Sequence, residues 1–264
     1  MPLTNRFRLL WILAFLVLFP GGGIASSDAQ GHDNAFREGW SLLQKERYAE
    51  ARAIFAKIPP LEYDLGDYVV YFRGEAAARE GNRAEAGESL RVMEEKFPGS
   101  PLLPYLRHEV AYAAALDNDL SAARESISVS RGAVKGNGRK SEEGYVVALL
   151  AEEGGPTAEA ASLHLENFAS YTAQEAAARS FERLWQWWRD GRFASWNLTA
   201  GFHAKFAKAA ARAGEPDRAR MIFDDAIHRF PSSGEYYALV LDSAEFHRKQ
   251  GETATAAALP SRWP

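Results

Sequence analysis

The sequence predicts an all-α protein, a superhelix of about six helical hairpins stacked side by side. Three observations carry that prediction. The stretch Val70–Pro98 reads as two short helices folded back on each other. Gly74 and Ala86 are small where the helices press together, and Gly81-Asn82 makes the turn. Leu90 and Met93 continue an apolar face, and Pro98 closes the unit. The small residue of the second helix then recurs at Ala51, Ala86, Ala123, Ala160, Ala219 and Ala256, in steps of 35, 37, 37, 59 and 37. Finally, the offsets recur with it. A large residue follows four positions on at Phe55, Leu90, Ile127, His164 and Phe223, with Pro260 in the sixth slot. Turn glycines stand at Gly81, Gly214 and Gly251, and KFPGS at Pro98 is matched by RFPSS at Pro231. One hairpin cannot bury its apolar face alone, so the copies are required to stack.

Taken in order, the chain begins with Arg6 and Arg8, the eleven-residue apolar run Leu9–Phe19, Pro20, three glycines, and small residues before Ala25 and again before Ala29. This is a secretory leader, residues 1–25, with Ala29 the alternative cleavage point. Eleven residues are too few for a bilayer core, which needs roughly 20. The mature chain is therefore expected to be exported and soluble, in a bacterial periplasm. Residues 31–264 form the helical-repeat domain. Repeat one, Ala35–Ile58, packs through Gly39, Tyr48, Ala51 and Phe55 and ends at Pro59-Pro60. Repeat two spaces its markers as a tetratricopeptide-type unit does: small residue, seven on to Gly, five on to Ala, four on to a large apolar residue, eight on to Pro. Repeat three enters through Pro101 and Pro104, where a missing N–H is harmless, and runs to about Ser130. Residues 131–143, with three glycines and four basic residues, read as a solvated connection. Repeat four, Gly144–Tyr171, is a degraded copy. Residues 173–200 break the period as an irregular joint. There Phe181, Leu184, Trp185 and Trp188 share one helical face and pack, while Trp187 points away and is free to stack on a sugar. Repeat five spans about Phe202–Pro231, and repeat six, Tyr236–Leu259, has a weak second helix.

Composition narrows the function. The chain has 264 residues, 47% hydrophobic and 25% charged, with net charge −4. Without Arg6 and Arg8 there are 29 basic residues against 35 acidic, a balance of −6 that gives no basic footprint for nucleic acid. The absence of cysteine removes disulfides, thiolate metal sites, cysteine nucleophiles and lipid attachment at an N-terminal cysteine. His32, His108, His164, His203, His228 and His247 show no metal-ligand spacing, and no phosphate-binding glycine loop is present. No cofactor and no metal are expected. His164 occupies a packing slot and reads as a core residue.

The lead-in and body of repeat two, LGDYVVYFRGEAAAREGNRAEA followed by KFPGSPLLP, resemble the N-terminal α-superhelical domain of soluble lytic murein transglycosylases. RFPSSGEYYALVLDSAEFHRKQG looks like the segment that precedes the catalytic domain in those enzymes. The resemblance spans most of the mature chain and implies a curved scaffold that positions glycan strands or partners. The family's catalytic Glu-Ser and Gly-Leu-Met-Gln stretch are not carried over. Glu88-Ser89 and Glu125-Ser126 lie inside second helices and read as ordinary helix positions, so no catalytic residue is expected and the chain is not expected to be an enzyme. A catalytic partner would be a separate chain, or lost. The resemblance thus implies a scaffold of peptidoglycan metabolism. The alternative is a protein-interaction module of another envelope system, such as the periplasmic tetratricopeptide coordinator of the Tol-Pal complex or an outer-membrane assembly factor.

In stacks of this type the first helices line the concave face. Extending the register places Trp40, Tyr71, Glu75, Arg79, His108, Tyr112, Lys208, Arg212, Glu245 and Arg248 outward there, with Trp187 beside them. Aromatics mixed with both charges suit a peptide or glycan-peptide strand. The expected partners are thus a peptidoglycan strand or a periplasmic protein, with no nucleic acid and, once the leader is cleaved, no membrane. Replacing Arg79 and Arg212 is expected to weaken partner binding without unfolding the protein.

Overall fold

The computed structural model describes residues 27–259; the leader and Pro260 lie outside the described residues. Fourteen helices and no strand occur among the described residues. They pair as Ser27–Gln44 (α1) with Tyr48–Phe55 (α2), Gly66–Glu80 (α3) with Arg83–Lys96 (α4), Leu103–Leu116 (α5) with Leu120–Ser130 (α6), and Asn137–Leu150 (α7) with Ala158–Ser170 (α8). Then come Glu175–Arg189 (α9) and the four-residue Arg192–Ser195 (α10). Ala200–Arg212 (α11) pairs with Pro216–Arg229 (α12), and Tyr236–Lys249 (α13) with Thr253–Ala258 (α14). The α-α superhelix of hairpins expected from the period is the fold.

Local chemistry explains the boundaries. Three second helices start where a short polar side chain accepts a backbone N–H: Asn82 from Glu85 at 3.2 Å, Asp119 from Ala122 at 3.1 Å, Thr157 from Ala160 at 3.1 Å. The recurrent turn glycine takes left-handed backbone, with φ +84° at Gly81, which a side chain would strain. The ruler alanines at 51, 86, 123, 160 and 219 are all buried, while the short α14 buries nothing. At Gly74 a Cβ would lie 2.6 Å from Leu106 Cδ1 and 2.9 Å from Ser89 Cβ, so the close approach of α3 to α4 and α5 requires glycine. An arginine follows three of the ruler alanines and reaches the next unit each time: Arg52 to Glu80 and Glu85, Arg124 to Glu153, Arg220 to Glu252.

The joint is an incomplete hairpin. α9 packs on α7 and α8 as a first helix should, but its second helix is cut to α10. The next hairpin therefore sets α11 against α8. Phe193 of α10, Phe168 of α8, Phe181 of α9 and Phe206 of α11 fill the joint, each no more than 3% exposed, with ring centroids 4.6 Å apart for Phe168–Phe181 and 5.7 Å for Phe181–Phe206. Burying one such ring contributes about 1.5–3 kcal/mol.

Here two expectations are corrected. Trp187 is buried at 5% exposure, edge-on to His164 at 5.5 Å and to Trp196 at 5.4 Å. A helix inside a stack is covered on two flanks, so a residue off the main apolar face still meets protein. Trp185 and Trp188 are instead the half-exposed pair, stacked 4.9 Å apart, with Arg218 5.0 Å over Trp185 and Trp188 Nε1 donating to Asp225 at 3.2 Å. The interruption at 131–143 is also only partly a connection. Val134 is buried, and α7 begins at Asn137 and carries Arg139 inward.

Candidate functional site

The first helices bring five of the expected residues together, but as a closed network. Tyr71, Glu75 and Arg79 repeat every four residues along one face of α3, and Tyr105, His108, Glu109 and Tyr112 follow the same logic on α5. Arg139 and Glu142 complete the set from α7. Arg79 forks onto Glu142 at 2.6 and 3.2 Å and meets Glu109 at 2.7 Å. Arg139 donates to the Tyr71 hydroxyl at 2.8 Å and pairs with Glu109 at 3.3 Å and Glu75 at 3.4 Å. The two guanidiniums lie over Tyr112, at 5.6 Å, and Tyr105, at 5.2 Å. His108 Nε2 is 2.9 Å from Glu142 Oε2. The expectation that Tyr71, Glu75, His108 and Tyr112 face outward is corrected: all four are buried, His108 completely, and Arg79 is mostly covered. Three neighbouring first helices converge on one row of charges, and in low dielectric those charges seek each other before solvent.

Electrostatics follow. Burial raises the Glu142 carboxyl, but the hydrogen bond from His108 and the charge of Arg79 outweigh it and hold Glu142 down at about 2, below the ordinary 4.5. A group with a depressed native value stabilises the fold above its unfolded value and loses that contribution as the pH falls. Wild-type stability is therefore expected to drop between about pH 4.5 and pH 2. Glu142→Gln should already lack that share at neutral pH and show a flatter acid limb in urea titrations at stepped pH.

An open first-helix surface lies further along, on α9. A groove of about 750 Å³ is lined by Tyr145 of α7 and otherwise by α9 alone, including Glu175, Arg179, Glu182, Arg183 and Arg189. Because the fifth unit lacks a full second helix, no later helix contributes to its wall. Tyr145 forms the floor and turns its ring edge toward Tyr112, 6.4 Å away, so the groove adjoins the sealed network. Trp185 also borders it.

Beneath the groove lies a buried set of Ser180, His164 and Glu152. His164 Nε2 is 2.8 Å from Glu152 Oε1, and its Nδ1 is 3.0 Å from Ser180 Oγ, which also accepts from Asn167 Nδ2 at 2.9 Å. Sequence shows no such set, since its members come from the end of α7, from α8 and from α9. Burial lowers the His164 pKa, with the Glu152 hydrogen bond opposing it. Ser180 and His164 are 0% exposed, and the set pins the helices together through polar contacts. His164 is the core residue expected.

The remaining expected residues stay apart from the groove. Trp40 is half-buried against the α1–α2 core. Lys208 and Arg212 are exposed on α11, Lys208 paired with Asp242 at 2.9 Å and Arg212 donating to the Ala169 carbonyl at 3.2 Å. Arg248 is exposed on α13, as is Glu245, which pairs with Lys249 at 2.7 Å. Glu88 and Glu125 are exposed helix positions. The groove arginines were missed because α9 reads as an irregular joint outside the repeat register. The i, i+4 pair Arg179 and Arg183 was the available signal. Among the described residues no group of His, Asp and Glu is arranged to hold a metal ion, and no helix is long and apolar enough to cross a membrane.

Comparison with known families agrees with this geometry. Residues 205–233 match the tetratricopeptide repeat. The match falls on α11 and α12, repeat five of the sequence period and the sixth unit once the incomplete α9–α10 unit is counted as the fifth, and hairpins make up the rest of the described chain apart from that unit. The domain is thus tetratricopeptide-like, a class that presents surfaces for protein–protein interaction. No curated protein matches the chain.

Proposed function

We propose that this chain is an exported tetratricopeptide-like scaffold of the bacterial envelope that holds an extended segment of a protein partner in the α9 groove. The observation that carries this reading is the fate of the aromatics. Trp187, Tyr71 and Tyr112 are buried, and the half-exposed Trp185 and Trp188 are engaged with each other, with Arg218 over Trp185 and Asp225 on Trp188. What remains open is a charged groove on a first helix. The leader at 1–25 supports export to the periplasm. A partner module of the Tol-Pal or outer-membrane assembly type fits this surface.

The second reading is a non-catalytic scaffold of peptidoglycan metabolism, favoured by the likeness of KFPGSPLLP and its lead-in to transglycosylase superhelical domains. One experiment separates the two. Residues 26–264 carrying a photo-crosslinker at Gln186 in the groove, or at Glu88 on a second helix as control, are incubated with purified sacculi and with envelope extract. A discrete protein adduct from Gln186 alone supports the first reading. Pelleting with sacculi without muropeptide release supports the second, and release of anhydro-muropeptides overturns the non-enzymatic assignment in both.

A further inference from the structure

The groove on α9 has a charge pattern that its sequence hides. Three arginines and three acids line it, yet two of the acids are firmly engaged, Glu175 by Arg179 at 2.8 Å and Glu182 by Arg218 at 2.6 Å, while Asp190 meets Arg192 only at 4.0 Å. Arg183 reaches only Glu152, at 3.5 Å, and that same oxygen is 2.8 Å from His164. Arg189 is exposed and makes no ion pair among the described residues. Arg218 also meets Glu215 at 3.6 Å, so with Glu152 and Glu215 added to the rim five arginines face five carboxylates, and what sets the groove apart is that Arg189 is unspent and Arg183 only loosely held. The groove thus presents uncommitted guanidiniums on a chain of net charge −4. The neighbouring network has an acidic excess, two guanidiniums against three carboxylates, but it is sealed. The uncommitted charge of the groove is therefore positive, and no later helix contributes to the groove wall.

We propose, building on the scaffold reading, that the α9 groove selects a partner segment rich in Asp and Glu, with Arg183 and Arg189 as the residues that choose it. The dimensions agree. α9 is about 22 Å long at 1.5 Å per residue, so an extended chain at about 3.3 Å per residue needs roughly seven residues to run along it. Trp185, half-exposed at the rim, offers a ring face for the segment's apolar atoms. Arg183 shares its carboxylate with a buried imidazole, so it can turn to an incoming one without stranding Glu152, and Arg189 breaks no bond at all.

The test uses fluorescein-labelled ten-residue peptides of alternating Glu and Ser, Gln and Ser, or Lys and Ser, with anisotropy read on residues 26–264. The acidic probe is expected to bind at least tenfold more tightly than the neutral one, and more weakly as salt rises. Arg183→Gln with Arg189→Gln should weaken it about tenfold or more, and Arg189→Gln alone, which removes no contact of the fold, about threefold. Lys205→Gln with Lys208→Gln removes the same two charges from α11 and should change binding less than twofold. Equal binding of acidic and neutral probes, or equal effects of the two double variants, overturns the acidic selection while leaving the scaffold reading in place. Failure of every peptide, with soluble peptidoglycan fragments shifting Trp185 fluorescence instead, overturns both.

Discussion

Arg79→Ala is expected to unfold the protein far more readily, lowering stability by about 3–5 kcal/mol. Removing one partner from a buried ionic cluster leaves the others desolvated and unpaired. Here Arg79 is the guanidinium that bridges Glu109 and Glu142, and Glu109 is 1% exposed. Without it, Arg139 alone would face Glu75, Glu109 and Glu142. For a chain of this size the loss should lower Tm by about 6–20 °C. Arg212→Ala is the control. Its only contact is one carbonyl at 3.2 Å on an exposed surface, so it should stay within about 0.5 kcal/mol. Equal stability of Arg79→Ala and wild type in urea titration would mean that the network is solvated and that Arg79 belongs to the binding surface after all. This pair also separates two residues that the repeat register alone treats alike.

Phe206→Ala should cost a similar amount, about 3–5 kcal/mol, and change the shape of unfolding. Phe206 is 0% exposed and its ring sits 5.7 Å from Phe181, 5.8 Å from Phe193 and 6.5 Å from Phe168. Those rings belong to α9, α10 and α8, so this one side chain couples the two C-terminal hairpins to everything before them. Stability in a repeat array is the sum of unit terms and neighbour terms. Weakening the joint should therefore split one melting transition into two, the C-terminal hairpins melting first. Calorimetry reads this directly, and a single transition at an unchanged temperature would show that the joint carries no coupling.

Much of this was legible in the chain. The alanine ruler placed the second helices, and the shared spacing of Phe55, Ile127 and Phe223 identified their core sides, because burial in a helix stack obeys a period that sequence displays. Gly74 was legible as a contact point for the same reason. Less visible was which face of a first helix stays wet. Tyr71, His108 and Tyr112 keep helical spacing whether they meet solvent or the next hairpin. Trp187 lies off the main apolar face and is buried nonetheless. Arg139 sat in a glycine-rich stretch that reads as a connection.

The sequence by itself determined the helical-hairpin fold, the order of the hairpins and the break at residues 173–200, since each depends on local backbone chemistry and on the periodicity of burial, while the start of α7 at Asn137 and the short α10 came from the structure. Only the tertiary structure decided which charges are spent and which are free. The Glu182 carboxylate looks as available in the sequence as the Arg183 and Arg189 guanidiniums. They differ because Arg218, 36 residues from Glu182, arrives from another hairpin. Ion pairing depends on distances of a few ångströms between elements, and those distances are set by how the truncated fifth unit lets α11 settle on α8.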